Sequence, residues 1–271
     1  MRPAPYVTDL RVASTRAELA DARKVLPGRI AVVMTMGALH EGHAALIRAA
    51  RERADSVIVT IFVNPLQFGA SEDLDDYPRT LEADLAVCAR EGADVVFTPT
   101  PDVVYPEPAL IRVIAGPMGT VLEGVSRPGH VDGMLTVVLK LLHLTHPDVA
   151  MFGEKDAQQL AVIRRMVGDL DLGVQVVGVP TVRDADGLAL SSRNRFLAPD
   201  ERRSALALSR ALATRDLGAA AAVLAAEPGV DVDYLERVRS STFESDPAGD
   251  LLVVAARVGA TRLIDAITME A

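Results

Sequence analysis

Two histidines, His40 and His43, lie in a segment whose residue types and spacing are suited to binding a nucleotide phosphate. The segment, residues 34–43, reads MTMGALHEGH and directly follows the apolar run at 30–33. This pattern predicts a short buried strand, a glycine turn and a helix, so free backbone N–H groups and the positive end of the helix dipole would face an anion. Residues three apart lie on one face of a helix, so both imidazoles could reach one ligand.

Two other interpretations of the histidine pair are weaker. Histidines at the start of a helix can be ordinary polar residues with satisfied hydrogen bonds, but the preceding strand and Gly37 argue against this. A zinc site is less favoured, because the metalloprotease motif places three residues between its histidines. Here only two residues separate them, and no cysteine cluster is near.

Two further polar clusters follow predicted strands. Asn64 and Gln67, in the segment IFVNPLQFG, offer neutral donors and acceptors suited to a carboxylate, hydroxyl or amine, although a plain Asn-Pro turn is an equal alternative. Lys155, in the segment GEKDAQQ, could meet a phosphate as a point charge. An ordinary charge cluster on a surface loop would give the same pattern.

Two more clusters lie outside the predicted strand ends. Residues 191–194 supply two hydroxyls, a guanidinium and an amide, which is a dense set of phosphate donors, although a polar interdomain loop would have the same composition. Arg127 and His130 precede an apolar helical pattern, so they could reach a substrate or simply cap that helix.

Short apolar runs alternate with longer helical patterns, and these elements must position the clusters. The predicted strands are 30–35, 56–63, 94–98, 148–152 and 175–179, and the predicted helices are 43–54, 80–91, 133–144 and 158–170. Such alternation predicts an α/β fold with a doubly wound parallel sheet. Ligands in these sheets bind outside the carboxyl ends of the strands, so we expect the clusters to share one cleft.

The pattern changes after Pro180. Residues 200–226 predict one or two Ala-rich helices, and 231–239 and 251–268 predict strands or mixed short elements. We therefore expect residues 1–181 to form the nucleotide- and substrate-binding domain. Residues 182–271 would form a smaller α+β domain.

Composition excludes several classes of function. The 271 residues carry a net charge of −9, which disfavours nucleic acid and anionic membranes as partners. Cys88 is the only cysteine, the N-terminus lacks a signal-peptide pattern, and no run approaches the roughly 20 apolar residues of a membrane span, so we expect a cytosolic protein. The sequence lacks a Walker motif and a Gly-x-Gly-x-x-Gly fingerprint, which points to a different nucleotide chemistry.

Taken together, these segments resemble the pantothenate synthetase (pantoate–β-alanine ligase) family, a member of the nucleotidyltransferase superfamily marked by His-x-Gly-His. The matching segments are MGALHEGH (36–43), IFVNPLQFG (61–69), YPRTLEADL (77–85), RPGH (127–130), FGEKDAQQL (152–160), DGLALSSRN (186–194) and VGATRLIDA (258–266). The resemblance runs from about residue 10 to residue 269. It therefore covers both expected domains.

The resemblance implies a Rossmann-like domain with a smaller C-terminal lid, in an enzyme that is typically a homodimer and uses Mg²⁺. The family joins D-pantoate to β-alanine with ATP through a pantoyl adenylate, and the products are pantothenate, AMP and pyrophosphate. The implied catalytic residues are His40, His43, Lys155 and Arg193, with His43 as the proton donor.

The same resemblance implies two sets of binding residues. Those implied to bind ATP are Met36, Gly37, Ala38, Leu39, His40, Glu41, Gly42, His43, Gly153, Glu154, Lys155, Asp156, Val182, Leu190, Ser191, Ser192 and Arg193. Those implied to hold the other substrates are Gln67, Gln159, Asn64, Arg127 and His130.

Some functional questions stay open at this point. The stretch around Ala83 and Asp84 is less acidic than in some relatives, so a direct protein ligand for Mg²⁺ there is in doubt. A nucleotidyltransferase that stops at an adenylylated product and a non-catalytic nucleotide-binding regulator are the alternatives to the ligase. Aminoacyl-tRNA synthetases share the histidine signature, but the acidic charge disfavours tRNA as a partner.

Overall fold

The computed structural model describes residues 10–69, 74 and 77–269, in which two sheets organise the chain. The strands of the larger sheet are β1 (Arg11–Ala13), β2 (Ile30–Thr35), β3 (Ser56–Ile61), β4 (Val95–Phe97), β5 (Val149–Gly153) and β6 (Gln175–Val179). They run in the order β1-β4-β3-β2-β5-β6, and every pair is parallel. This confirms the predicted parallel sheet.

Helices cover both faces of this sheet, which explains why its strands lack polar alternation. The helices are α1 (Arg16–Lys24), α2 (Glu41–Arg51), α3 (Leu81–Arg90), α4 (Pro101–Val104), α5 (Glu123–Ser126), α6 (His130–Thr145) and α7 (Ala157–Asp169). Val32 packs in one core cluster with α1, α6 and α7, while its neighbour Val33 packs in another with α2 and α3. Each such buried side chain stabilises the fold by about 1.5–3 kcal/mol.

The remaining elements form a smaller α+β unit. Helices α8 (Pro199–Ala213) and α9 (Leu217–Ala225) pack on an antiparallel sheet of β7 (Val230–Val238), β8 (Leu251–Val258) and β9 (Thr261–Thr268). Leu252 and Val254 of β8 face α8 and α9, whereas Leu251 and Val253 cluster with Ala161 of α7. The small sheet is therefore buried on both faces, and one face docks on the larger unit.

Several element bounds differ from the sequence-based prediction for local reasons. Strand β3 ends two residues early, because Asn64 and Pro65 start a short 3₁₀ helix at Pro65–Gln67. Helix α6 begins at His130 instead of 133, directly after Gly129, whose φ is +81°. Neither β1 nor α1 was predicted, because β1 has three residues, of which two are exposed, and shows no apolar run.

The structure bears on only one of the sequence features behind the expected location, the absence of a membrane span. No helix among the described residues has both the length and the apolar composition needed to cross a bilayer. The expectation about a signal peptide concerns residues 1–9, which lie outside the described residues.

Candidate active site

The carboxyl ends of β2, β3, β5 and β6 border a cleft that consists of two adjoining cavities. The smaller cavity, about 230 Å³, lies over the strand ends, and the larger, about 620 Å³, lies between the two sheet-bearing units. Residues that line both are Met134, Lys155, Asp156, Gln159, Ser191 and Arg193. Polar clusters that are distant in sequence therefore converge at one edge of the sheet, as predicted.

Most residues implied to bind ATP lie on the smaller cavity. Its lining includes Met36, His40, Gly42, His43, Gly153, Lys155, Asp156, Val182, Leu190, Ser191, Ser192 and Arg193. Gly37, Ala38, Leu39, Glu41 and Glu154 line neither of the two cavities. The implied contacts of these five residues with ATP stay predictions.

The two histidines meet through a reciprocal capping interaction at the start of α2. His40 is the N-cap, with an extended backbone, and its Nδ1 accepts a hydrogen bond from the Gly42 N–H at 3.1 Å. The Nδ1 of His43 accepts one from the His40 N–H at 3.2 Å. The ring centroids are 4.2 Å apart, and the ring planes are tilted by 40°. They therefore adjoin through the cap, and not because both are helical residues as the spacing predicted.

This cap fixes where each ring carries its proton. A backbone N–H only donates, so Nδ1 of both His40 and His43 must be an acceptor, and the neutral ring then carries its proton on Nε2. Burial lowers the pKa of His40 to about 4, with a further contribution from the Lys155 ammonium. Burial, His40 and Lys155 together lower the pKa of His43 to about 3. Near neutral pH both rings are therefore uncharged hydrogen-bond donors.

The prediction that free backbone N–H groups of this turn would bind the anion is wrong for four residues. The N–H groups of Ala38 and Leu39 donate to the carboxylate of Asp84, at 3.0 and 2.8 Å. Those of His40 and Gly42 are used in the cap. The turn therefore uses these donors internally, and the imidazole side chains are the groups left to face a phosphate.

The backbone of the turn depends on glycine and on Asp84. Gly37 has a φ of +86°, and a Cβ there would lie 3.1 Å from the Asp84 carboxylate and 3.3 Å from Ile61. Ala38 also has a positive φ, +51°. This left-handed conformation costs an alanine about 1–2 kcal/mol, and a charge-assisted hydrogen bond of about 1.5–3 kcal/mol offsets it.

Lys155 and Arg193 supply positive charge to the cleft. The Lys155 Nζ lies 3.4 Å from the Leu190 carbonyl oxygen and 3.9 Å from the Asp156 carboxylate. Lys155 lines the smaller cavity together with both histidines, and its positive charge contributes to the lowered pKa of each ring. Arg193 is the second residue of a 3₁₀ helix at Ser192–Phe196, and its N–H donates to the Ser191 hydroxyl at 3.2 Å. The cleft is thus locally positive although the chain is acidic.

Asn64 and Gln67 occupy different places. Asn64 is 1% exposed, and its amide donates to the Gln67 Oε1 and the Gly133 carbonyl oxygen, both at 3.1 Å. Its Oδ1 accepts from the Leu66 N–H and the Tyr105 hydroxyl. Gln67 lines the smaller cavity. Asn64 therefore combines a turn-capping role with positioning of Gln67, and its own amide does not reach the cleft surface.

Two neighbouring features support Gln67. A Cβ at Gly133 would lie 1.9 Å from the Leu66 carbonyl oxygen, so only glycine lets α6 pack this closely on the loop. The Nε2 of Gln67 also donates to the Met36 sulfur at 3.1 Å. This hydrogen bond connects the loop that contains Gln67 to the turn that precedes the histidines.

Arg127 and His130 are linked by hydrogen bonds to the loop that contains Gln67. The Arg127 guanidinium and the His130 Nε2 are 2.8 Å apart, and the His130 Nδ1 lies 2.8 Å from the Gln67 carbonyl oxygen. Because a guanidinium only donates and a carbonyl only accepts, this ring carries its proton on Nδ1. Gly129 is the N-cap of α6 and makes no side-chain cap hydrogen bond, and the two contacts above connect Arg127 and His130 to the Gln67 loop.

The glutamine pair on α7 is divided between two tasks. Gln159 lines both cavities. Gln158 lines only the larger cavity, and its buried amide donates to the carbonyl oxygens of Met118 and Val121 and accepts from the Glu123 N–H. Gln159 is therefore the one available to a ligand.

Sequence reasoning missed the contribution of the C-terminal unit. Arg262 of β9 forms a bidentate ion pair with Glu123 of α5 at 2.7 and 3.0 Å, and the Tyr234 hydroxyl donates to the same carboxylate. These three residues line the larger cavity. Arg262 lies in the matching segment 258–266, but no role was assigned to it from sequence, and Glu123 and Tyr234 lie outside every matching segment.

The donor set does not form a protein cage for Mg²⁺. Within the described part of the chain, no group of three or more His, Cys, Asp or Glu side chains is placed to hold a metal ion. Asp84, which lies in the stretch considered from sequence, uses both carboxylate oxygens on backbone N–H groups.

Comparison with known proteins identifies close relatives. A family profile described as pantoate-beta-alanine ligase matches residues 10–268. The chain is 62% identical over 250 residues to Pantothenate synthetase 4 of Frankia alni, covering 88% of this chain and 82% of the relative. It is 58% identical over 271 residues to pantothenate synthetase of Salinispora arenicola, covering 94% and 96%.

Solved structures agree with these sequences. Pantothenate synthetase from Thermus thermophilus superposes with a TM-score of 0.91 at 44% identity, covering 96% of this chain and all (100%) of that one. Pantoate-beta-alanine ligase from Francisella tularensis, complexed with beta-gamma ATP and beta-alanine, gives 0.84 at 34% identity, covering 97% and 98%.

Proposed function

The chain belongs to the pantoate–β-alanine ligase family, and we propose that the cleft at the carboxyl ends of β2, β3, β5 and β6 carries out its reaction. The chain is an ATP-dependent ligase that joins pantoate to β-alanine. The observation that carries the assignment to this cleft is the convergence of His40, His43, Lys155 and Arg193 beside Gln67.

In the first step, an oxygen of the pantoate carboxylate attacks the α-phosphorus of ATP. The new P–O bond forms as the bond to pyrophosphate breaks, and the departing pyrophosphate takes the electron pair. The Nε2–H groups of His40 and His43, with Lys155 and Arg193, stabilise the charge that moves onto the phosphates. Adenylation is needed because a free carboxylate would have to expel oxide.

In the second step, the β-alanine amine attacks the carbonyl carbon of pantoyl adenylate. The C–N bond forms, AMP leaves with the electron pair of the C–O bond, and the amine loses a proton. Gln67 and Gln159 bind pantoate, while Asn64, Arg127 and His130 act through the Gln67 loop as positioning residues. Orientation of this kind can contribute roughly 7–11 kcal/mol.

The imidazole of His43 serves first as a hydrogen-bond donor to the phosphates. With a pKa lowered to about 3, the ring is neutral before ATP binds. A bound polyphosphate raises the pKa of an adjacent imidazole, since the negative charge favours its protonated form. The role of proton donor implied by the family therefore requires ATP to be in place.

We further propose that Mg²⁺ binds the phosphates of ATP and not a protein cage, as is common for this ion. Residues 182–271 serve as the lid over the domain of residues 1–181, a boundary supported by the end of the last strand of the parallel sheet at Val179. The buried single Cys88 fits a cytosolic location.

A second copy of the chain is proposed to cover an exposed aliphatic segment. Leu110, Ile111 and Ile114 are 90%, 88% and 77% exposed and lie within five residues of one another. Apolar patches of this kind mark interaction sites on soluble proteins. Sedimentation equilibrium tests the homodimer, and a monomer at all concentrations would contradict it.

A reaction assay with each substrate omitted tests the function. We expect AMP release only when ATP, pantoate and β-alanine are all present. Pantoate-dependent exchange of labelled pyrophosphate into ATP should occur without β-alanine. Exchange without amide formation would instead indicate a nucleotidyltransferase that stops at the adenylate. ATP binding with neither activity would indicate a regulator.

A further inference from the structure

Asp84 is a buried carboxylate for which the proposed reaction has no use. It lies on α3 and is 2% exposed. Its oxygens accept the N–H groups of Ala38 at 3.0 Å and Leu39 at 2.8 Å, and the Thr80 hydroxyl at 3.2 Å. A carboxylate is costly to bury unless hydrogen bonds satisfy it, so its place behind the cleft requires an explanation.

The carboxylate of Asp84 occupies a site that could otherwise bind an anion from solution. Successive backbone N–H groups around a left-handed residue form a concave anion site, and here Gly37 and Ala38 both have positive φ. In this turn the carboxylate of Asp84 fills that site from inside the protein. A phosphate in the cleft consequently cannot compete for the N–H groups of Ala38 and Leu39.

The two ends of the same turn touch both reactant sites. On the N-terminal side, the Met36 sulfur accepts a hydrogen bond from the Gln67 amide. On the C-terminal side, His40 caps α2 and holds His43. A shift of the turn would therefore move the phosphate donors relative to the pantoate site, although Asp84 itself touches neither ligand.

We propose that Asp84 is a positioning residue that fills the anion site of the 37–39 turn and so holds the phosphates of ATP on the imidazoles of His40 and His43, in register with pantoate. This inference rests on the proposed function. It assigns Asp84 to the rate of adenylation and not to metal binding.

The test compares Asp84→Asn with a matched control at the opposite edge of the sheet. The asparagine side chain has the same shape but keeps one acceptor and presents an N–H, so one backbone donor of the turn loses its partner. Asp148→Ala removes a similar bond, in which the Asp148 carboxylate accepts the Ile30 N–H at 2.7 Å at the start of β2. Stability is measured for both variants.

For Asp84→Asn we expect pantoate-dependent ATP–pyrophosphate exchange at saturating substrates to fall at least about tenfold, while KM for pantoate changes less than about threefold. The ¹⁵N signals of the His40 and His43 rings should also lose the pattern of a proton fixed on Nε2. Asp148→Ala should keep the parental rate and ring signals even where it loses as much stability.

Three outcomes overturn the inference. One is a parental rate in Asp84→Asn. Another is a loss of rate in both variants that follows their loss of stability. The third is a defect that extra Mg²⁺ restores, because it would make Asp84 a metal ligand. If the parent itself shows no pantoate-dependent exchange, the proposed function fails separately.

A milder variant covers the case in which Asp84→Asn does not fold. Thr80→Val removes only the hydroxyl that donates to Asp84 at 3.2 Å. We expect a smaller fall in the saturated exchange rate, about two- to fivefold, with KM for pantoate unchanged. A parental rate in this variant would count against the inference.

Discussion

The cleft contains two histidine regions that differ in whether the imidazole Nδ1 accepts or donates a hydrogen bond. At the start of α2, His40 and His43 accept backbone N–H groups on Nδ1, which leaves each Nε2–H as a donor. At the start of α6, the Nδ1 of His130 donates to the Gln67 carbonyl oxygen and Nε2 accepts from Arg127. The first region lines the smaller cavity, and the second lines the larger cavity and contacts the loop of Gln67.

The difference shows that the neighbours of an imidazole decide its chemistry. Each ring lies within the first turn of a helix, where the dipole disfavours a positive charge. The backbone groups opposite Nδ1 differ, because a capping box offers N–H groups and a loop offers a carbonyl oxygen. The predictions that follow test whether the two regions differ in function as they do in hydrogen bonding.

Removal of a donor ring should have the largest effect. We expect His43→Ala to lower the single-turnover rate of adenylation by about 10²- to 10³-fold, because a preorganised donor to the phosphates is lost. The control is His146→Asn, at the exposed end of α6, where asparagine tolerates the φ of +42°. A fall of less than about threefold would remove His43 from the reaction.

Removal of the Lys155 ammonium, which shares the smaller cavity with the rings, should rank next. Lys155→Ala is expected to lower the adenylation rate by about 10² or more, since a preplaced charge partner of the phosphates is lost. Single-turnover measurement separates this from product release. Equal rates for variant and parent would refute the role.

Loss of the pantoate contact should change binding more than chemistry. For Gln67→Ala we expect KM for pantoate to rise at least about tenfold with little change in ATP affinity. Initial rates at varied pantoate, with ATP binding followed by calorimetry, check this. A loss confined to ATP would reverse the assignment of Gln67.

A smaller effect is expected in the second histidine region. His130→Phe removes the bonds to Arg127 and to the Gln67 carbonyl oxygen but keeps a planar ring. We expect KM for pantoate to rise about three- to tenfold with kcat nearly unchanged. A fall in kcat as large as that of His43→Ala would erase the distinction between the two regions.

The smallest effect concerns stability against pH. The folded-state pKa values of His40 and His43, about 4 and about 3, lie below the ordinary value of 6.5. Between pH 6.5 and about 4 these histidines bind more protons in the unfolded chain than in the folded one. Their contribution to the free energy of unfolding is therefore greatest above pH 6.5 and declines as the pH falls towards 4. His43→Gln should flatten this decline in urea unfolding, and an unchanged slope would contradict the lowered pKa.

The sequence predicts the larger sheet well because its strands are buried on both faces. Strands β2 and β6 match their predicted bounds, and the five predicted strands all occur. The polar clusters after β2, β3 and β5 also meet at one edge, as a parallel sheet requires. Strand β1 and helix α1 escaped prediction because they are short and carry no apolar run.

The sequence predicts which polar residues lie near the cleft, but not which of their side chains line it. Asn64 and Gln67 are indistinguishable in sequence, yet one is enclosed by four hydrogen bonds and the other lines the cavity. The amide of Gln158 likewise makes three hydrogen bonds, although it lines the larger cavity, whereas Gln159 lines both cavities. Only packing decides which side chain of each pair lines the smaller cavity.

The sequence alone determined the parallel α/β fold, the family and the loops that form the cleft, because apolar runs and polar clusters are local features of the chain. Tertiary structure decided which groups in those loops remain available. Asp84 comes from α3 to occupy the turn, and Arg262 comes from the small sheet to pair with Glu123. A backbone N–H or side chain that pairs with a residue distant in sequence is no longer available to a ligand. The local sequence of a loop does not show that pairing, because the partner comes from another part of the chain.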